Sequence, residues 1–170
     1  MSWKTVRISD LGKIVTGKTP SSKKPEDFGR DYPFITPSDM DFGTRHIQTE
    51  RFLSQKGREA LKKILLPQNS TCVVCIGATV GKSCMTSEPS FSNQQINSIV
   101  PNPNVTDPHF VYYFSTILRP TLESFAGGAA TPIINKNTFS SIKLPLPKLS
   151  VQKKTAARSE ERRVGKECAT

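Results

Sequence analysis

The apolar run TCVVCI (Thr71–Ile76) feeds a glycine-bracketed loop, GATVGKS (Gly77–Ser83), and this junction constrains the fold more than any other stretch. A buried strand ending in glycine, lysine and serine invites a phosphate-binding loop and, with it, a nucleotide-binding protein. That loop needs four residues between its glycines, because the spacing sets the curvature that aims backbone N–H groups at phosphates. Here Ile76 stands where the first glycine belongs, and only Ala78, Thr79 and Val80 separate Gly77 from Gly81. A phosphate loop also opens a helix, whereas the residues that follow, CMTSEPSFSNQ with Pro89, make a poor one. Both counts argue against ATP or GTP binding. Thr79, Lys82 and Ser83 still offer donors to an isolated phosphate; a plain hairpin with an exposed lysine is the other reading.

The rest of the chain alternates short apolar runs with turn-rich segments. WKTVRI alternates around Val6 and Ile8, and KIV (Lys13–Val15) follows, which predicts two short strands. Residues 16–33, rich in Gly, Pro, Ser and charge, read as a long loop of the kind that is often functional. PFITPSDM gives a strand ended by a turn in which Ser38 or Asp39 bonds the backbone. Ser54 is placed to cap a helix with Ala60, Leu61, Ile64 and Leu65 on its apolar face. QQINSIV is a further strand, closed by Pro101. Asp107 and Pro108 form a cap and first helical position, with Phe110, Val111, Phe114, Ile117 and Leu118 on one face and a break at Pro120. Residues 126–137 read as a second loop, and SIKLPLP as an edge strand, because Pro145 and Pro147 cannot sit in a sheet centre. The expected class is α+β: short twisted strands, a few helices and long loops.

A chain of 170 residues with 35% hydrophobic content supports one domain with a true core. No apolar run approaches the roughly 18–20 residues of a membrane span, and MSWKTVRISD has no signal-peptide character, so a cytoplasmic, membrane-free protein is expected. The net charge of +10 favours polyanionic partners, nucleic acid first. Cys72 and Cys75 have metal-site spacing, but neither His46 nor His109 is near in sequence, so no metal is expected and the cysteines read as core residues.

The segment RSEERRVGKECAT (158–170) changes character abruptly. Arg158–Cys168 resembles the forward translation of a widely used sequencing adapter, and the natural chain is expected to continue differently past Ala157. The segment is read as disordered or as a non-native helix. Its four basic and three acidic residues contribute +1, which leaves +9 on residues 1–157, so the basicity does not depend on it.

Seven stretches, in order, carry a resemblance. They are LGKIVTGKTPS (Leu11–Ser21), PFITPSDM (Pro33–Met40), ILLP (Ile64–Pro67), IGATVGKS (Ile76–Ser83), SNQQIN (Ser92–Asn97), GGAATPIINKNTF (Gly127–Phe139) and IKLPLPKLSVQKK (Ile142–Lys154). Together they resemble the DNA-specificity subunits of type I restriction-modification systems. The resemblance implies a target recognition domain over 1–150 that reads one half of a split site in double-stranded DNA, followed by a stub of spacer helix over 151–157. It implies a non-catalytic subunit partnered by methyltransferase and restriction subunits, with S-adenosylmethionine bound by the methyltransferase and no cofactor on this chain. The family usually has a double proline at the junction; here Lys148 follows Pro147.

Motifs shared by domains of different specificity cannot choose the base, so Lys18, Thr19, Ser38, Thr79, Lys82, Asn135 and Lys136 are assigned to the DNA backbone. Base readers are sought elsewhere: Lys23, Lys24, Arg30, Arg45, His46 and Gln48, with Asn93 and Gln94 able either to read adenine or to tie strands together. For each, loop architecture or a solvated surface is the competing role. Two other functions stay open: the specificity domain of a single-chain restriction-methyltransferase, against which stands the lack of any catalytic region ahead of Trp3, and a general nucleic-acid-binding domain.

Overall fold

The computed structural model describes residues 3–125, 127–128 and 130–167. Its strands are β1 (Lys4–Arg7), β2 (Gly12–Thr16), β3 (Phe28–Ile35), β4 (Phe52–Leu53), β5 (Thr71–Val74), β6 (Ser83–Met85), β7 (Phe91–Ser92), β8 (Ile96–Pro101) and β9 (Lys143–Leu146). The helices are α1 (Gln55–Leu61), α2 (Pro108–Thr116), α3 (Arg119–Phe125), α4 (Lys136–Ser141) and α5 (Leu149–Glu167). This is the mixed α+β class that the pattern of short runs predicts.

The centre is an antiparallel sheet in the order β2-β8-β5-β6. Strand β5 is buried throughout, and its period of two divides it between two cores. Val73, with Cys75 just beyond the strand, faces a cluster built with Val6, Leu11, Val111, Leu122, Phe139 and Leu144. Cys72 and Val74 face the opposite cluster with Ile35, Met40, Leu66 and Ile96. One face of the sheet is therefore covered by α2, α3, α4 and the β1–β9 ribbon. The other is covered by a second sheet, β4-β3-β7, in which β3 and β7 run parallel. Phe34, Leu53, Leu61 and Phe91 fill the outer face of that second sheet beneath α1.

Local signals act as expected at the helix starts. Ser54 Oγ accepts the Gly57 N–H at α1, and Asp107 accepts from the N–H groups of His109 and Phe110 at α2, with Pro108 in the first turn. The edge assignment of β9 holds, since among the described residues it pairs only with β1. Three expectations are corrected. Ile117 is 68% exposed, because it is the C-cap of α2 with φ −99° and ψ 0° and has left the helical phase; Tyr112 takes its place in the core. The loop expected over 16–33 contains most of β3, which pairing with β4 and β7 draws into strand, so Arg30 is a strand residue. The loop expected over 126–137 ends earlier, where Asn135 caps α4 by accepting the Thr138 N–H at 2.9 Å.

Helix α5 begins on a buried amide. Gln152 Oε1 accepts the Asp107 N–H at 2.9 Å, while Nε2 donates to the carbonyls of Val105 (3.1 Å) and Pro147 (2.9 Å). The helix then continues without a break through residue 157 to Glu167. Gln152→Leu keeps the bulk but orphans three backbone groups, and should lower stability by about 1–3 kcal/mol. Urea denaturation should show a lower midpoint with an unchanged slope.

Candidate nucleic-acid interface

Segments far apart in sequence meet at one end of the central sheet, and the register explains why. The C-terminal ends of β2 and β5 lie beside the N-terminal end of their antiparallel neighbour β8. Leaving β2, the Thr16 hydroxyl donates to Asn97 Oδ1 (2.7 Å), the Gly17 N–H to the Ile96 carbonyl (3.1 Å) and the Lys18 N–H to the Ser92 carbonyl (2.9 Å). Leaving β5, the Cys75 N–H donates to the Gln95 carbonyl (2.8 Å), and the Gly77 N–H to that of Pro132 (3.0 Å). The Ile134 N–H returns to the Cys75 carbonyl (2.8 Å), and Asn97 Nδ2 donates to the Ile134 carbonyl (3.2 Å). The second sheet joins at the same end, where the Asn93 N–H donates to the Ile35 carbonyl (3.0 Å). A Cβ on Gly17 would lie 2.1 Å from the Asn93 carbonyl oxygen, so only glycine permits this approach. Exposed on the rim are Lys18, Ala78, Gln94, Thr131, Ile133 and Lys136.

The residues assigned from sequence to the DNA backbone divide into two kinds. Lys18 and Lys136 are exposed at this end of the sheet. Thr19, Ser38 and Asn135 are engaged locally: Thr19 with Gln94 Oε1 at 2.7 Å, Ser38 with Thr36 at 2.8 Å, and Asn135 as the α4 cap. Thr79 accepts the Lys82 N–H through its carbonyl at 3.1 Å and leaves its side chain partly exposed. Such bonds are the usual employment of these side chains in turns.

The candidate base readers are more scattered. Lys23 and Lys24 are exposed ahead of β3. Arg30, also exposed, stands near the start of that strand, about 17 Å along it from Ile35 at the ordinary strand rise. Asn93 is buried and closes on Gln95, accepting its N–H at 3.1 Å and donating to its Oε1 at 3.0 Å, whereas Gln94 is exposed. Gln48 lines a cleft with Pro33, Ile47 and Met85. Arg45 is only 10% exposed, because its guanidinium pairs with Glu160 on α5, whose carboxylate also accepts the Tyr113 hydroxyl at 2.6 Å. His46 Nδ1 lies 3.3 Å from the Met85 carbonyl. Burial, then the neighbouring Arg45 charge, pulls the His46 pKa below its ordinary value and favours the neutral ring.

Residues 1–158 match the family described as the type I restriction modification DNA specificity domain. The chain belongs to this family. It is 39% identical over 150 residues to the type I restriction enzyme HindI specificity subunit of Haemophilus influenzae, covering 85% of this chain and 32% of that protein. Its fold is similar to that of the HsdS subunit from Thermoanaerobacter tengcongensis, with a TM-score of 0.71 at 19% identity over 94% of this chain and 37% of the other. It is also similar to the type IIG restriction endonuclease BpuSI, with a TM-score of 0.63 at 9% identity over 92% of this chain and 26% of that one. The chain thus spans about a third of the length of the specificity subunits it matches.

Within this specificity domain the β5–β6 loop is a hairpin connection, closed by the Gly81 N–H to the Val74 carbonyl and the Val74 N–H to the Lys82 carbonyl, both at 2.9 Å. Lys82 is only 15% exposed; its Nζ lies 3.9 Å from an Asp41 carboxylate oxygen and 5.9 Å from the Phe42 ring centre. Arg119, at the start of α3, covers the same ring at 4.6 Å. The meeting of Phe42, Lys82 and Arg119 was not legible in sequence, because nothing local joins residues 42, 82 and 119. Gly81 makes the contact possible: its φ is +91°, and a Cβ there would meet Arg119 Cβ at 2.7 Å. The second glycine of the phosphate-loop look-alike thus serves a helix contact. Gly43 also has a positive φ of +84° but faces open space. Alanine at either position should cost about 1–2 kcal/mol for the left-handed backbone, with a further loss only at Gly81. Equal denaturation midpoints for Gly81→Ala and Gly43→Ala would disprove the packing role.

Proposed function

We propose that this chain is the target recognition module of a type I specificity subunit, reading one half-site of a bipartite DNA sequence. The observation that supports it is the convergence of five of the seven motif stretches on one end of the central sheet, with Lys18 and Lys136 exposed there on a chain of net charge +10. Lysines at such a rim neutralise phosphates and position the domain, while side chains nearby face base edges. In this reading the module is not a catalyst. Methyltransferase subunits bind S-adenosylmethionine and extrude the base, a restriction subunit cleaves, and the assembly works in the cytoplasm. A lone half-site reader binds weakly, because the full assembly gains effective concentration from its second contact. No helix among the described residues is long and apolar enough to cross a membrane.

The test is duplex binding over a range of salt concentrations. Lys18→Ala and Lys136→Ala should each weaken binding to every sequence and flatten the salt dependence by about one phosphate contact. Lys82→Ala should do the same if its ammonium exchanges Asp41 for a phosphate on binding. An unchanged slope would confine Lys82 to its pairing with Asp41. Absence of any preferred sequence in competition binding would sink the reading in favour of a general polyanion binder.

A further inference from the structure

The Asp41–Gly43 turn presents an aromatic side chain that the core does not use. Phe42 is 50% exposed although Met40, two residues earlier, is fully buried. An exposed phenyl on a mobile turn would be ordinary, but this one is held. Arg119 covers the ring at 4.6 Å, and Lys82 approaches it at 5.9 Å. The Arg119 guanidinium is itself fixed, donating from Nε to Glu123 Oε1 at 2.7 Å. Three segments thus build a finger with an apolar tip and two cations at its base, and Asp41, 84% exposed, stands beside it. Cation–π contacts of this geometry orient a ring at modest energy. Asp41 and Glu123 balance the two cations, so the tip is an oriented apolar group and not a free charge. On a domain that reads DNA, an oriented phenyl ring suits the thymine C5-methyl group, which apolar side chains contact in the major groove.

We infer that Phe42 is a base reader that contacts the thymine methyl group, with Arg119 and Lys82 as its positioning residues. This rests on the proposed DNA reading, and it names a specificity determinant outside the motif rim. Because the contact is to one methyl group, it can be removed from either side, by truncating the ring or by replacing thymine with uracil. Each removal alone should cost about fourfold in affinity, the worth of one buried methyl group.

The experiment selects preferred duplexes from a randomised pool with the 170-residue chain, then replaces each thymine of the selected duplex in turn by deoxyuridine. One position should lose about fourfold. Phe42→Ala should bind the thymine duplex about fourfold more weakly and show no further loss with deoxyuridine at that position. Phe42→Leu, which keeps an apolar tip, should retain the deoxyuridine penalty, so a folding defect in the alanine variant cannot mimic the result. A selected site without thymine, or a deoxyuridine penalty that persists undiminished in Phe42→Ala, would overturn the assignment and leave DNA reading in place. Failure to select any sequence, at chain concentrations high enough to hold a weak half-site contact, would instead overturn the DNA reading on which it rests.

Discussion

The buried side chain of Asn97 holds together the end of the sheet on which the candidate interface depends. Its Oδ1 accepts the Thr16 hydroxyl and its Nδ2 donates to the Ile134 carbonyl, which ties β2 and β8 to the segment ahead of α4. An amide withdrawn from water is tolerable only because both of its ends are partnered. That requirement fixes the loops in space. The Ile134 N–H must reach Cys75, and Gly77 must reach Pro132, before the rim that carries Lys18 and Lys136 has a defined shape. The interface is therefore exposed side chains standing on a buried hydrogen-bond network, an arrangement that keeps charged groups on a rigid base.

What could be read from the sequence depended on the range of the interaction. The caps at Ser54 and Asp107 act over two or three residues, and both were legible. The double burial of β5 was legible as an unbroken apolar run. Cys72 and Cys75 are buried, as the core reading requires, and burial pushes the Cys75 thiol up to about 11; Cys84 on β6 is raised too, first by the hydrogen bond it donates to Cys72 and then by burial. The first five residues of β3 were missed because residues 28–32 have the composition of a loop and become strand only through β4, which lies beyond a long intervening segment. Ile117 was misplaced because helical periodicity was extended past a terminus that only the three-dimensional structure defines.

The site was legible in its chemistry and not in its assembly. Glycine spacing was enough to argue against a nucleotide loop, yet the reason for Gly81 lies in Arg119, which reaches it only through the packing of α3. Lys82 reads in sequence as an exposed cation on a hairpin. In the fold Asp41 and Phe42 close over it, so its charge is partly balanced before any ligand arrives. A cation so placed gains less from a phosphate than the open Lys18 does, because the new contact must replace an existing one. Salt dependence at the interface should therefore be unevenly shared among its lysines.

Arg45 shows how far such assignments depend on remote partners. Burial opposes ionisation of Glu160, but the Tyr113 hydroxyl and the charges of Arg45 and Arg163 outweigh it and hold the carboxyl below its usual range. Tyr113, in turn, is pushed up to about 12 by burial and by that carboxylate. The cluster keeps Arg45 against the fold and away from solvent. Yet Glu160 lies just past residue 158, where the match to the family ends. A guanidinium at 10% exposure with its carboxylate removed is an uncompensated charge, which a protein relieves by turning the side chain outward. A chain with a neutral residue at position 160 would return Arg45 to solvent beside His46 and Gln48.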